Sequence, residues 1–280
     1  METANSLDRS LLLETRFVER LLVDFLKDET RQAGFTRGVL GLSGGVDSAV
    51  CAALAAKALG PENVLGVVMP YRTSNPDSVS DAMLVARHTG IQIEQVDITA
   101  MVEPYLQMIG DAGRVRAGNV MARERMIILY DLSQRDHALV FGTSNKTELL
   151  LGYGTLFGDM ACAINPLGDL YKSQVWQLAR ALGLPEQVVS KQPSADLWSG
   201  QTDEGEFGFT YAEADRLLYL MIDERRTDDE CTAAGFSPEF IRRIREMVSR
   251  SQFRRRPPLI AKVSHRTVNI DFRYARDWGI

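Results

Sequence analysis

A chain of 280 residues with 45% hydrophobic content can bury a substantial core, and it suits one large domain or one domain with a helical appendage. A formal net charge of −5 and a pI near 5.4 argue against general polyanion binding, nucleic acid included. No basic-then-apolar signal opens the chain and no uncharged run is long enough to span a bilayer, so neither secretion nor a membrane is expected. Cys51, Cys162 and Cys231 are far apart and form no CxxC, which fits a reduced, cytoplasmic protein. His88, His137 and His265 are isolated and assemble no histidine metal site.

Apolar residues at three- and four-residue spacing, Leu7, Leu11, Val18, Leu21, Leu22, Phe25 and Leu26, predict an amphipathic helix between Ser6 and Lys27. Arg37–Leu42 is a short apolar run ending in glycine-rich sequence, and the Ala- and Leu-rich stretch Val46–Leu59 is helical until Gly60-Pro61. Asn63–Met69 is β-branched and stops at Pro70. Asp77–Thr89 is an amphipathic helix stopped by Gly90, and Ile91–Ile98 alternates as a half-exposed strand does. Gly118–Gln134 reads as a helix and His137–Thr143 as a buried strand. Gly152–Leu170 has no clear period. A helix follows at Lys172–Leu182, closed by Gly183 and Pro185. Lys191–Thr210 is polar, glycine-containing and without a period, as a mobile lid or binding loop would be. Helical patterns resume at Tyr211–Asp223, Asp228–Ala234 and Pro238–Ser251. A basic, aromatic tail closes the chain, with Arg254-Arg255-Arg256 at its start and Asp271-Phe272-Arg273-Tyr274 near its end.

Strands alternating with helices predict an α/β fold with a doubly wound parallel sheet and a helical C-terminal part. In outline, residues 1–30 form an N-terminal helix, 31–190 the α/β core, and 191–280 the lid, helices and tail of one domain. Ligands in such sheets bind beyond the carboxyl ends of the strands. The loops starting near Ser43, Met69 and Thr143 therefore converge on one edge.

The richest of these loops is Gly41-Leu42-Ser43-Gly44-Gly45-Val46-Asp47-Ser48. Glycines let the backbone approach an oxyanion, and the following helix offers free N–H groups and the positive end of its dipole. Ser43 and Ser48 add hydroxyl donors. No Lys-Ser/Thr pair closes the loop, so it is not a Walker A motif. Asp47 would repel phosphate unless a divalent cation lies between them, and Mg²⁺, a hard cation that takes oxygen ligands, is the inference.

The string Ser43-Gly44-Gly45-Val46-Asp47-Ser48 resembles the signature of the N-type ATP pyrophosphatases, enzymes that cleave ATP between its α- and β-phosphates and adenylate a substrate. The motif alone leaves the substrate open among NAD, GMP, asparagine and argininosuccinate synthetases and tRNA-thiolating enzymes. Four further segments resemble the ammonia-dependent NAD synthetases over nearly the whole chain from Arg16. They are the Gly118-Asn119 to Arg125-Met126 helix, Gly142-Thr143 to Glu148, Asn165-Pro166 to Lys172, and Pro193-Ser194-Ala195-Asp196-Leu197. The resemblance implies an adenine-nucleotide alpha-hydrolase-like fold. It also implies that Asp47 and Glu148 ligate Mg²⁺, that the Gly41–Ser48 loop with Thr143, Lys172 and Ser194 contacts ATP, and that Arg123 and Arg254 meet deamido-NAD.

The implied reaction is attack of the nicotinate carboxylate on ATP, followed by attack of ammonia on the acyl-adenylate. The resemblance uses all 280 residues and leaves no room for a glutaminase domain, so free ammonia, or ammonia delivered by another protein, is expected. Leu156 and Ala163 stand where many relatives carry lysine and aspartate, and Phe253-Arg254 where many carry His-Lys. These departures touch the dinucleotide end and leave adenylation alone. Cys162 reads as a small buried residue with no base nearby. A homodimer using helical surfaces that include Gly118–Gln134 is expected. Rival readings are the ATP-cleaving half of a GMP synthetase and a non-catalytic nucleotide sensor.

Overall fold

The computed structural model describes residues 9–198 and 200–268. Its strands are β1 (Arg37–Gly41), β2 (Val64–Val68), β3 (Gln92–Gln95) and β4 (Ala138–Val140), paired in parallel in the order β3-β2-β1-β4. From β1 the chain winds outward through β2 to β3, then crosses back to place β4 on the other flank of β1. The winding reverses between β1 and β4, where open parallel sheets place ligands.

The core half of the chain carries α1 (Thr15–Gln32), α2 (Val46–Leu59), α3 (Pro76–Thr89), α4 (Thr99–Ile109), α5 (Gly113–Asp136) and α6 (Lys146–Leu151). The remaining helices are α7 (Lys172–Ala181), α8 (Glu186–Val189), α9 (Asp203–Phe207), α10 (Tyr211–Leu218), α11 (Asp228–Ala233) and α12 (Pro238–Ser251). Alternation along the strands divides the core. Leu40, Val64, Val68 and Leu139 pack with α1, α2, α3 and α7, while Val39, Leu65, Val67 and Val140 face the side covered by α5. The sheet is thus covered on both faces, as an all-parallel sheet requires. The alanines of α2 leave little side chain between helices, so α1 and α7 pack directly against it. A third cluster, centred on Tyr211, Leu217, Leu218, Ile241 and Ile244, makes the helical C-terminal part.

Several elements depart from the sequence expectation. The N-terminal helix begins at Thr15 and runs on to Gln32. Before it, Gln177 claims the backbone: its Nε2 donates to Leu11 O at 3.0 Å and its Oε1 accepts from Leu13 N at 2.9 Å, which holds that stretch out of helix. Ser6 and Leu7 lie outside the described residues, as does the Asp271–Tyr274 string. β3 is shorter than Ile91–Ile98; Val96 and Ile98 still bond Val68 O and Pro70 O, but Pro70 has no N–H to continue the ladder. The helix α4 has no counterpart in the sequence reading, because Pro104 sits inside it. α5 starts five residues before Gly118, and β4 is shorter than His137–Thr143, since His137 is the left-handed cap of α5. Tyr219–Asp223 continues α10 as a π-turn.

Candidate active site

The phosphate-loop sequence forms the turn from β1 into α2, as expected, and its conformation depends on Gly44. That residue has φ +77°, and a Cβ there would lie 2.3 Å from Ser78 O on α3. The two serines differ in exposure: Ser43 is exposed at the cleft, whereas Ser48 faces the turn. Ser48 is buried; its Oγ donates to Gly45 O at 3.0 Å, accepts from Ser43 N at 3.2 Å and lies 3.1 Å from Ser43 Oγ. These bonds brace the turn, and the N-terminal N–H groups of α2 add the positive end of a helix dipole beside it.

Behind the turn, Lys172 at the first position of α7 reaches between two carboxylates. Its Nζ lies 2.5 Å from Asp47 Oδ2 and 3.4 Å from Glu148 Oε1, with the lysine side chain 3% exposed. Burial alone would depress this lysine; Asp47 and Glu148 more than offset that and hold it above its ordinary value. Lys172 was expected to offer its charge to ATP. Here it first neutralises the acids that flank the loop. Removing one partner from a buried pair of this kind costs about 3–5 kcal/mol, because the other charge stays buried.

Asn145 joins the two carboxylates from another side. Its Nδ2 donates to Asp47 Oδ1 at 2.9 Å, and its Oδ1 accepts from Glu148 N at 3.0 Å in a capping box that opens α6. Burial and the Asp47 charge push the Glu148 carboxyl up to about 8, with Lys172 working in the opposite direction. Asp203 at the start of α9 is also raised by burial, although Tyr211 (2.8 Å), Lys172 and Tyr153 (2.9 Å) all oppose it. Two acids, with a third nearby, thus surround one ammonium. This excess of buried negative charge suits a divalent cation, to which Asp47 and Glu148 would lend oxygens. Among the described residues no cluster of three or more ligating side chains occurs, so phosphate oxygens and water would have to complete the shell.

These groups line a cleft of about 1000 Å³ that also receives Thr143, Ser194, Arg125, Lys191 and Arg254. Arg123 lines a smaller adjoining cavity of about 200 Å³, together with Asn119, Leu156, Phe253 and Arg254. Arg123 donates to Leu156 O at 3.3 Å, and Arg254 to Gly152 O at 2.8 Å and Gly154 O at 2.9 Å. The two arginines assigned to one ligand, 131 positions apart by number, therefore meet at one cavity. The departures Leu156 and Phe253 line that cavity, whereas Ala163 does not.

The Lys191–Thr210 segment is less irregular than expected, because Thr202 caps α9 within it. Its Asp196 accepts from Asn75 N at 3.1 Å, and Leu197 packs so tightly on Gly118 that a Cβ there would lie 2.7 Å from Leu197 Cδ1. That contact explains the glycine opening the Gly118-Asn119 string. Cys162 is half-buried, while Cys51 and Cys231 are buried; all three are free thiols.

Sequence reasoning missed Asn145, Asp203, Arg125 and Lys191. Asn145 had a usable signal, since Asn145 with Glu148 three residues later spells a capping box. Arg125, half-buried and lowered from its ordinary value by desolvation, donates its Nε to Met69 O at 3.0 Å. Only tertiary structure brings it there.

A parallel α/β sheet with an anion-binding turn and paired carboxylates at its switch point defines a nucleotide-binding enzyme of the adenine-nucleotide alpha-hydrolase type. The family model for NAD synthase matches residues 18–258, and the chain belongs to that family. It is 58% identical over 269 residues to an NH(3)-dependent NAD(+) synthetase of Trichlorobacter lovleyi, covering 96% of this chain and 98% of that one. A Chlorobium phaeobacteroides protein of the same description is 57% identical, with 96% and 97% covered. Among solved structures, NMN synthetase from Francisella tularensis superposes with a TM-score of 0.79 at 33% identity, covering 89% of this chain and 99% of that one. The NH3-dependent NAD synthetase of Campylobacter jejuni gives 0.77 at 32%, with 90% and 100% covered.

The raised Glu148 value sets a pH dependence. From the ordinary carboxylate range up to about pH 8 the folded, ion-free protein keeps a proton that the unfolded chain releases. Stability therefore falls as pH rises through that window. Glu148→Gln carries no such proton, so it should gain stability relative to wild type between about pH 5 and 8, then level off. Urea unfolding in a chelator checks this; a wild-type-to-variant difference independent of pH contradicts it.

Proposed function

We propose that this chain amidates deamido-NAD with ammonia, consuming ATP and forming NAD, AMP and pyrophosphate. The observation that carries this reading is the Asp47–Lys172–Glu148 cluster beneath the Ser43–Ser48 turn, at the switch point of the sheet. Near end-to-end identity to relatives described as NH(3)-dependent supports the choice of amine.

The residues divide the work by position. The Gly41–Ser48 turn offers backbone N–H groups to the phosphates of ATP, with Thr143 and Ser194 contributing from the cleft walls. Asp47 and Glu148 would hold Mg²⁺, and Lys172 sets the charge of that pair. An ion held there would supply positive charge against the phosphates. Arg123 and Arg254 bind deamido-NAD at the smaller cavity and aim its nicotinate carboxylate at the α-phosphate. A carboxylate oxygen bonds to that phosphorus while its bond to the bridging oxygen breaks, giving the acyl-adenylate and pyrophosphate. Ammonia nitrogen then bonds to the acyl carbon, AMP leaves with the carbonyl-bound oxygen, and one proton is released. The 191–198 segment, fastened to Asn75 and Gly118, shields the adenylate from water.

The reading includes a cytoplasmic homodimer. Free cysteines suit the compartment, and the exposed apolar side chains Met101, Tyr105 and Met108 on α4 and Ile127 and Tyr130 on α5 suit the interface. No helix among the described residues is long and apolar enough to cross a membrane. Equilibrium sedimentation should give about twice 31.2 kDa; a single-chain mass at micromolar concentration contradicts the dimer.

The reaction is tested by incubating the protein with Mg-ATP and ammonium, supplying deamido-NAD, nicotinate mononucleotide or xanthosine monophosphate in parallel. AMP and NAD should form in equal amounts with deamido-NAD, and glutamine should not replace ammonium. AMP only with the mononucleotide or the purine nucleotide would overturn the substrate. Asp47→Asn should lower turnover by about a hundredfold or more while the protein stays folded; near-normal rates remove Asp47 from the site.

A further inference from the structure

Lys191 opens the segment that carries Ser194 and lines the same cleft as Ser43, Gly45 and Ser48. Its Nζ donates to Asp81 Oδ2 at 2.7 Å and to Ser78 Oγ at 3.3 Å, both on α3. That helix is pressed against the glycine turn, since a Cβ on Gly44 would meet Ser78 O at 2.3 Å and Asp81 Cβ at 3.0 Å. The ammonium is thereby fixed beside the phosphate loop. Asp81 is itself held rigidly, because its other oxygen accepts from Gln187 Nε2 at 2.6 Å.

Among the described residues, the cationic side chains lining the cleft are Arg125, Lys172, Lys191 and Arg254. Lys172 is enclosed by Asp47 and Glu148. Arg125 bonds the Met69 carbonyl, and Arg254 bonds carbonyls beside the smaller cavity. Lys191 differs from these in its place: Asp81 and Ser78 hold it beside the glycine turn. An ammonium has three N–H donors; Asp81 and Ser78 engage two, and the side chain keeps 26% exposure. That leaves a third N–H donor on a side chain that lines the cleft next to the glycine turn.

We propose that Lys191 binds the pyrophosphate portion of ATP and the pyrophosphate product, completing with the Ser43–Ser48 turn a cradle charged on two sides. The proposal rests on the reaction proposed above, in which pyrophosphate is the leaving group. Lys191 acts as a point charge held in place by Asp81, so binding requires no rearrangement of the pair. Because Lys191 and Ser194 belong to one segment docked on α3, the charge and the hydroxyl line the cleft together.

The test measures Mg-pyrophosphate binding by calorimetry, and pyrophosphate inhibition of turnover, in the full chain and in Lys191→Gln and Lys191→Arg. Glutamine can still bond Asp81 but has no charge; arginine keeps the charge. Lys191→Gln should weaken pyrophosphate binding by about tenfold or more and raise the KM for ATP, leaving the KM for deamido-NAD within about twofold. Lys191→Arg should stay within about threefold of wild type on all three. Pyrophosphate binding unchanged in Lys191→Gln overturns the proposal, as does Lys191→Arg as weak as Lys191→Gln, which marks a tether to Asp81. Where Lys191→Gln does not stay folded, Lys191→Met carries the same comparison. A wild type that forms no AMP with deamido-NAD while Lys191→Gln loses pyrophosphate binding contradicts the reaction and upholds Lys191.

Discussion

Everything in the cleft depends on one buried ammonium held between two carboxylates. Lys172 comes from α7, Asp47 from the first turn of α2, and Glu148 from α6 after β4. None of the three is near another in sequence, so the contact fixes three segments against one another at the point where the sheet reverses its winding. The contact is also incompletely neutral. One positive charge faces two acids with Asp203 close by, and the raised Glu148 value reflects that excess. A site built this way is poised to take a cation together with an anionic nucleotide, and the apo arrangement alone does not satisfy it.

The supporting structure serves that arrangement. Asn145 spans Asp47 and Glu148, so the cap of α6 is also a brace of the site. Buried Asp215 orients α7 by accepting from Ser173 N and from Thr147 Oγ1, and that same hydroxyl accepts from Lys172 N. Arg255 bonds Leu149 O and Leu150 O at the far end of α6, tying the C-terminal helices to the helix that carries Glu148. The helical C-terminal part thus stiffens the wall that carries Glu148 as well as enlarging the core.

How much of this was legible depends on how local each feature is. The Ser43–Ser48 turn was readable because its glycines, Asp47 and following helix are consecutive, and α2 falls where the alanine run places it. The role of Ser48 was not, because a hydroxyl bonding inward to Gly45 O looks the same in sequence as one facing a ligand. α4 was hidden by Pro104, and the start of the N-terminal helix by Gln177, a residue more than 160 positions away. Arg123 and Arg254 were named only through resemblance; that they line one cavity is a matter of tertiary structure, which no local pattern encodes. Lys191 was passed over because its meaning lies in Asp81 and the packing of α3 on Gly44, which no local pattern encodes.

The most direct measurement is a crystal structure of the protein with Mg²⁺ and a non-hydrolysable ATP analogue. One ion held by oxygens of both Asp47 and Glu148, over the Ser43–Ser48 turn, is the expected result. An ion held by phosphate and water alone, with Lys172 still spanning both carboxylates, would contradict it.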